Sequence, residues 1–252
     1  MTKILSISNQ KGGVGKTTTA VNLSAAFADS GKKTLLVDCD PQANATTATG
    51  IDKPSLEYSL YHGLIGEAPL GEIIRATNTE NLKIVPSNVE LIGFEVEMMS
   101  SRGREEILKR LLGTTRDEFE YIILDCPPSL SLLTLNALTA AHSVLIPLQT
   151  EFFALEGLGQ LLETIKRIKQ SFNPGLRIEG ILMTMFDKRT NLARQVVQDA
   201  ETYFREMLFK SIIPRNIKLG EAPSFGMPVI SYDRTSVGSQ SYLSLAQELI
   251  KR

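Results

Sequence analysis

A short glycine-rich segment, residues 10–18, follows an apolar run at residues 4–7 and precedes a stretch with helical periodicity. It contains Gly15-Lys16-Thr17, the last part of a phosphate-binding P-loop. Glycines let the backbone curl so that successive N–H groups point at phosphate oxygens, and the next helix presents its positive end to them. Strand, loop and helix therefore predict a nucleotide site in an α/β fold, the alternative being an ordinary tight turn.

The loop departs from the standard P-loop pattern at its first position, where Gln10 replaces glycine and Lys11 follows. In the standard arrangement Lys16 reaches the β- and γ-phosphates and the Thr17 hydroxyl holds Mg²⁺. Because one lysine already serves these phosphates, Lys11 needs a separate explanation. A cation from a second molecule can neutralise charge on a transferred phosphoryl group. We therefore expect Lys11 to act across a dimer interface, the alternative being a solvated loop lysine.

Composition limits the classes to which the chain can belong. Of its 252 residues, 42% are hydrophobic, which is enough to form a core. Its net charge of −1 is not typical of a uniformly basic nucleic-acid binder. The two cysteines, Cys39 and Cys126, adjoin acidic residues and predict neither a disulfide framework nor a four-thiolate metal site. Neither a signal peptide nor a membrane span is evident, so we expect a cytoplasmic protein.

Apolar, β-branched runs alternate with helical patterns along most of the chain. Strands are predicted at residues 4–8, 34–37, 82–85, 121–124, 143–147, 178–184 and 208–213, and helices at 155–168, 192–205 and 242–250. This alternation predicts one domain, 1–252, of the α/β class, with a doubly wound, mostly parallel sheet and helices on both faces. Ligands of such sheets bind beyond the carboxyl ends of the strands.

Acidic residues close two of the predicted strands. Asp38 and Asp40 follow the second strand, and Asp125 ends the fourth. Beside a P-loop, Asp125 has the position of the Walker B carboxylate, which orients Mg²⁺ through a water. Asp40 is a candidate for orienting the attacking water, and Asp38 for supporting the loop or the Mg²⁺ shell. The alternative is that all three cap helices or form turns. The reaction that we expect is phosphoryl transfer to water.

With these motifs, and with blocks at residues 154–158, 189–192, 213–216 and 219–226, the chain resembles the ParA/MinD family of deviant-Walker ATPases almost end to end. It is most similar to the chromosomal, Soj-type ParA branch. The resemblance implies a P-loop NTPase fold, ATP and Mg²⁺ as cofactors, and a sandwich homodimer in the ATP state. It also implies non-specific binding to double-stranded DNA and stimulation by a ParB-type activator, on the nucleoid.

The same resemblance assigns roles to individual residues. The catalytic residues would be Lys11, Lys16, Asp40 and Asp125. The nucleotide would be held by Lys11, Gly12, Gly13, Val14, Gly15, Lys16, Thr17 and Thr18, with Pro214 and Asn216 at the adenine. Mg²⁺ would be held by Thr17 and, through water, by Asp125. Asp38 would lie in the layer of residues around these ligands. Gly12 and Gly13 would face the partner subunit at close approach.

Arg189 and Lys218 match family positions that are implicated in DNA contact, and Lys188, Arg194 and Arg215 are weaker candidates. Dimerisation doubles the number of phosphate contacts, so affinity for DNA should rise steeply on dimerisation and fall with salt. Some relatives have arginine at position 218. A phosphate contact tolerates lysine there better than a bidentate base contact would. The alternative is that these side chains are ordinary solvated surface.

Three other functions are compatible with parts of the sequence. A MinD-type membrane-associated ATPase would need a basic amphipathic C-terminal helix, whereas residues 245–252 are expected to end a core helix. An electron-transfer ATPase like the nitrogenase iron protein would need cysteines at the dimer axis, and Cys39 and Cys126 adjoin the nucleotide carboxylates instead. A small-molecule ligase, such as a dethiobiotin-synthetase-like enzyme, would need a polar substrate pocket. We expect no membrane partner.

Overall fold

The computed structural model describes residues 2–151 and 154–252, and within them a seven-stranded sheet forms the centre of the molecule. Its strands are β1 (Lys3–Ile7), β2 (Thr34–Asp38), β3 (Arg75–Ala76), β4 (Leu82–Val85), β5 (Tyr121–Asp125), β6 (Ser143–Gln149) and β7 (Arg177–Thr184). Their order is β3-β4-β2-β5-β1-β6-β7, and only β3 is antiparallel to its neighbour. The predicted, mostly parallel sheet is confirmed; the short β3 was not predicted.

Helices cover both faces of this sheet. They are α1 (Lys16–Asp29), α2 (Asn44–Ala48), α3 (Leu60–Ile65), α4 (Leu70–Ile73), α5 (Leu91–Glu97), α6 (Ile107–Leu112), α7 (Leu132–Ala140), α8 (Ala154–Ser171), α9 (Asn191–Phe204), α10 (Ile217–Glu221), α11 (Val229–Tyr232) and α12 (Val237–Ile250). Short 3₁₀ turns lie at Lys53–Ser55, Arg104–Glu106, Arg116–Glu118, Arg205–Met207 and Ala222–Phe225. The three predicted helices correspond to α8, α9 and α12, the last of which begins five residues earlier than predicted.

The core is divided by the sheet into two apolar clusters. In β5, Ile122 and Leu124 pack with residues of α3, α5, α6, α7 and α8, whereas Ile123 packs with α1, α2, α11 and α12. Successive side chains of a strand point to opposite faces, so a strand that is covered on both faces is apolar at every position. This explains the continuous apolar runs from which the strands were predicted.

The predicted strand at residues 208–213 is wrong. The segment runs beside the edge of β7, where the Phe209 and Ile213 N–H groups donate to β7 carbonyls at 3.0 and 2.9 Å, but isolated bridges replace a ladder. Between them, the Ser211 N–H donates to the Glu248 carboxylate of α12 at 3.0 Å. A side chain has therefore taken a donor that a continuous strand would need.

A glycine allows this segment to lie so close to β7. A Cβ atom at Gly180 would lie 2.7 Å from the Phe209 ring and 2.8 Å from the Met207 carbonyl oxygen. Both distances are shorter than a carbon atom can tolerate, so any larger residue would push the segment away from the sheet.

The register of the central strand brings the predicted site residues together. β5 pairs with β1 and β2 at once, and Asp125 is opposite both Ile7 and Asp38. The P-loop follows β1 directly, so two carboxylates and the phosphate-binding loop meet at one edge of the sheet. No helix in the described part of the chain is both long and apolar enough to cross a membrane.

Candidate nucleotide-binding site

The loop between β1 and α1 curls through two glycines. Gly13 and Gly15 have φ angles of +75° and +86°, in the left-handed region that glycine adopts without steric cost. Helix α1 then begins at Lys16, and the Thr19 N–H donates to the Gly15 carbonyl at 2.9 Å. Gly12 and Gly13 are exposed, and a Cβ atom on either would meet nothing within 4 Å. This open surface is compatible with a partner at close approach.

Two polar residues that the sequence analysis missed fix the loop to neighbouring strands. The Asn9 amide donates to the Pro147 carbonyl at 2.7 Å and accepts from the Lys11 N–H at 3.0 Å. The Thr184 hydroxyl, at the end of β7, donates to the Val14 carbonyl at 2.8 Å. The only signal in the sequence was that both are polar residues at strand ends, which does not identify their partners.

The two lysines of the loop occupy different environments. Lys16 is 7% exposed, and its ammonium donates to the Lys11 carbonyl at 2.9 Å, within the loop. Burial lowers the pKa of Lys16, and the charges of Asp125 and Asp40 oppose this shift. The Lys11 side chain is 40% exposed, and its ammonium lies 2.7 Å from the Glu151 carboxylate at the end of β6. Lys16 therefore lies inside the loop and Lys11 outside it.

Asp125 is fully buried at the centre of this arrangement, and neither carboxylate oxygen has a hydrogen-bond partner among the described residues. Burial raises the pKa of Asp125 well above its usual range, and the Asp38 carboxylate raises it further. The nearby Thr17 hydroxyl and Lys16 ammonium lower it, but by less. A buried carboxylate that no donor reaches in full hydrogen-bond geometry, beside a threonine hydroxyl near enough to lower its pKa, is suited to a cation and its water ligands.

Asp38, in contrast, has both carboxylate oxygens occupied by protein donors. One accepts from the Thr46 N–H at 2.8 Å and from the Thr46 hydroxyl at 2.7 Å, and the other accepts from the Asp40 N–H at 3.2 Å. Burial raises the pKa of Asp38 to about 6, although the Thr46 donors oppose this. Of its two predicted roles, the geometry favours support of the loop over a place in the Mg²⁺ shell.

Asp40 lies just beyond the end of β2 and is 8% exposed. One of its carboxylate oxygens accepts from the Gln42 N–H at 2.9 Å, which forms a turn. Asp40 therefore forms a turn, as the alternative interpretation of the sequence predicted, but its other carboxylate oxygen is left for a ligand or a water.

A cleft of about 270 Å³ opens beside the P-loop, lined among others by Gly15, Thr18, Pro214 and Asn216. The cleft lies next to the phosphate-binding loop and has a partly apolar lining, as a binding site for a nucleotide base requires. The side-chain oxygen of Asn216 caps α10 by accepting from the Lys218 N–H at 2.9 Å, so the side-chain NH₂ of Asn216 is left for a ligand. The structure therefore places the two predicted adenine contacts next to the loop.

Two of the basic residues predicted to contact DNA, Arg189 and Lys218, each lie beside an acidic residue. Arg189, 81% exposed, forms a two-pronged ion pair with Asp187, with N···O distances of 2.9 and 2.7 Å. Lys218 lies 2.9 Å from a Glu221 oxygen. The backbone N–H of Arg215 donates to the Phe186 carbonyl at 3.0 Å. This bond joins the loop that contains Arg189 to the segment that leads into α10. Exposed ion pairs contribute little to stability, so a phosphate could replace these carboxylates.

The weaker candidates lie nearby. Lys188 and Arg194 are exposed, and Arg194 hydrogen-bonds Asn191 on its own helix. The Arg189 guanidinium holds the pKa of Asp187 well below its usual range. This carboxylate therefore stays charged at neutral pH and competes with any phosphate for Arg189.

Both cysteines are buried beneath the carboxylates. The Cys126 sulfur lies 3.1 Å from the Ser6 hydroxyl, and burial raises the pKa of Cys126 to about 12 and that of Cys39 well above its usual range. Such thiols remain protonated and unreactive. Their position argues against the electron-transfer alternative, which needs cysteines at a subunit surface.

Comparison with known proteins agrees with this geometry. Residues 2–178 match the family model described as an AAA domain. The chain is 52% identical over 249 residues to the sporulation initiation inhibitor protein Soj of Bacillus subtilis, covering 99% of this chain and 98% of that protein. It is also 52% identical over 250 residues to the chromosome partitioning protein ParA of Myxococcus xanthus, covering 99% and 88%.

Among solved structures, the fold matches cobyrinic acid a,c-diamide synthase from Mycobacterium smegmatis with bound ADP and magnesium. The TM-score is 0.88 at 38% identity, and the match covers 100% of this chain and 95% of that one. The predicted P-loop fold, of the type with a deviant Walker A loop, is therefore confirmed.

Asp125→Asn is expected to stabilise the nucleotide-free protein, because it removes a charge that burial penalises. Since the folded-state pKa is raised, the carboxylate destabilises the fold at pH values above its unfolded pKa of about 3.9. At pH 7 the free energy of unfolding of Asp125→Asn should therefore exceed that of the wild type. Urea unfolding should show a smaller gain at pH 4.

Asp38→Asn is the matched control for this prediction. Its amide has only one acceptor oxygen, so whichever way it is turned its NH₂ faces a donor of Thr46 or of Asp40, and this variant should be less stable than Asp125→Asn. If both variants were destabilised alike, Asp125 would not be the unpartnered charge described here.

Proposed function

The chain belongs to the ParA/Soj family of chromosome-partitioning ATPases, and we propose that it couples ATP hydrolysis to the segregation of chromosome origins or plasmids. ATP and Mg²⁺ would bring two copies together as a sandwich dimer. This dimer would bind double-stranded DNA without sequence preference, so the protein would associate with the nucleoid in the cytoplasm. A ParB-type activator would stimulate hydrolysis and release the dimer.

The proposal rests on one observation, which is that one lysine of the loop lies inside it and the other lies outside it. Lys16 is buried within the loop, on the Lys11 carbonyl, where bound phosphates would take over its donors. Lys11 points out to Glu151, beside the exposed Gly12 and Gly13. An outward lysine on a phosphate-binding loop is suited to a nucleotide that is bound by a second copy of the chain.

The residues at the strand ends supply the parts that phosphoryl transfer to water requires. Loop N–H groups and Lys16 would hold the β- and γ-phosphates. Thr17, and Asp125 through water, would hold Mg²⁺, which neutralises phosphate charge when bound. Asp40 would orient the attacking water with its free carboxylate oxygen, and Lys11 of the partner would stabilise charge on the transferred group. Pro214 and Asn216 would contact the adenine.

DNA binding is proposed at Arg189 and Lys218, with Arg215 in a weaker role. In one copy Arg189 and Lys218 are paired with carboxylates, and the net charge of the whole chain is −1. Affinity would then depend on the sum of contacts from two copies, which gives a steep dependence on both ATP and salt.

A MinD-type, membrane-associated ATPase is the closest alternative function. In this chain the last helix buries Tyr242, Leu245, Ala246 and Leu249 in the core, so its apolar face is not available to a bilayer. Sedimentation with anionic liposomes distinguishes the two functions, because only the alternative predicts ATP-dependent pelleting.

A small-molecule ligase is a second candidate, because a protein described as a diamide synthase matches at 38% identity over the whole chain. The higher identity of 52% to Soj and ParA favours partitioning. The two functions differ in the trigger of hydrolysis, which is DNA with a ParB-type activator for partitioning and a small acceptor molecule for a ligase.

Asp40→Ala is expected to abolish hydrolysis, with a loss of at least about 100-fold in kcat, while leaving ATP binding and dimerisation intact. Without hydrolysis the dimer should stay on DNA. ATPase assays, light scattering and DNA co-sedimentation with ATP measure these three properties. Asp52→Ala, at an exposed position beyond α2, is the control and should behave as wild type. A monomer that cannot bind DNA at saturating ATP would contradict the proposal.

Arg189→Glu is expected to abolish DNA binding without changing ATP-dependent dimerisation, because it places a negative charge where a phosphate would bind. Gel-shift and size-exclusion measurements with ATP test both parts. Arg110→Glu makes the same charge change at an exposed position on α6, and it should retain DNA affinity. If the DNA affinity of Arg189→Glu were unchanged, Arg189 would be excluded from the interface.

A further inference from the structure

A buried chain of hydrogen bonds joins the loop after β2 to Ser87, which lies just beyond the end of β4. The Thr46 hydroxyl lies 2.7 Å from the Asp38 carboxylate, and the Ser87 N–H donates to the Thr46 hydroxyl at 2.9 Å. The Ser87 hydroxyl donates to the Asp40 carbonyl at 2.9 Å. We call these residues, Asp38, Thr46, Ser87 and Asp40, the switch network; each is buried.

The direction of every bond in the switch network is determined by its chemistry. The Ser87 N–H is a donor only, so the Thr46 hydroxyl oxygen accepts a hydrogen bond from it, and the Thr46 O–H donates a hydrogen bond to the Asp38 carboxylate. The Asp40 carbonyl can only accept, so the Ser87 hydroxyl donates to it. While Asp38 is ionised no bond of the network can reverse, so the network supports a single arrangement of the loop.

The loop that the network holds includes an unfavourable backbone conformation. Ala43 has a φ angle of +54°, in the left-handed region that residues with a Cβ atom rarely occupy. Such a conformation persists only where the surrounding structure imposes it. Here the segment is tied at Asp38, at the Asp40 carbonyl and at Thr46.

We propose that Thr46 and Ser87 are positioning residues for ATP hydrolysis. They touch no reacting atom, but they hold residues 40–46 so that the Asp40 carboxylate faces the phosphate edge of the sheet. The inference rests on the proposed role of Asp40 in hydrolysis. Ser87 follows β4, so the end of β4 contributes to the site in addition to those of β1, β2 and β5.

Ser87→Ala is the most direct test, because it removes one bond and leaves no orphaned group. The Asp40 carbonyl keeps its bond from the Ala43 N–H at 2.9 Å, and the backbone N–H of residue 87 keeps its bond to Thr46. DNA-stimulated kcat should fall about tenfold, the order expected for one hydrogen bond, with the KM for ATP within about twofold of wild type. Equal losses in kcat and ATP affinity would contradict positioning.

Thr46→Val and Thr46→Ser form a second pair of variants. Valine keeps the shape and removes the hydroxyl, so kcat should fall further than in Ser87→Ala; serine restores the hydroxyl and should recover activity. Thr49→Val is the matched control, since among the described residues the buried hydroxyl of Thr49, the residue after α2, bonds only to the Ala45 and Thr46 carbonyls of that helix. Thr49→Val with the same loss as Thr46→Val would show a merely structural effect.

Amide hydrogen exchange separates failure of this inference from failure of the proposed function. In Ser87→Ala, residues 40–46 should exchange at least about fivefold faster than in wild type, while the melting temperature changes by less than about 4 °C. If the wild type hydrolysed no ATP under any condition, the proposed function would fail, and the exchange measurement would still test the network. Unchanged exchange together with unchanged kcat would overturn the inference.

Discussion

The site depends on a buried carboxylate at the end of the central strand. β5 is paired on both sides, so Asp125 is held in register with the end of β1 on one side and the end of β2 on the other. Burying an unpaired carboxylate costs on the order of several kcal/mol. The fold tolerates this cost beside Lys16 and Thr17, where a cation and phosphates would restore the missing partners. The unfavourable burial of Asp125 would thus become part of the affinity for a ligand.

The neighbouring carboxylate shows how the same residue type can serve two purposes. Asp38 lies directly opposite Asp125 in the sheet, yet Thr46 and the Asp40 N–H satisfy its oxygens. One aspartate therefore organises the loop and the other remains available to a ligand. This division connects the strand ends, because the loop that contains Asp40 is held by the carboxylate whose oxygens already accept hydrogen bonds from the protein.

Much of the fold and the position of the site could be predicted from the sequence, because both depend on local patterns. Continuous apolar runs identified the parallel strands, and Lys16, Asp40 and Asp125 followed from strand ends and the loop motif. The partners of these residues could not be predicted, because they are distant in sequence. Glu248 takes a donor from Ser211, and this converts a predicted strand into an irregular segment. Glu151 holds Lys11 across 140 residues of chain.

We propose that a second copy of the chain completes the site through Lys11. Sedimentation velocity of Lys11→Ala with Mg²⁺ and a fluorescent ATP analogue tests it most directly, with Lys33→Ala as a control at another exposed lysine. We predict that Lys11→Ala binds the nucleotide within about threefold of wild-type affinity but sediments as a monomer, because Lys16 alone serves the phosphates of its own loop. A nucleotide-dependent dimer as stable as that of wild type would contradict the claim.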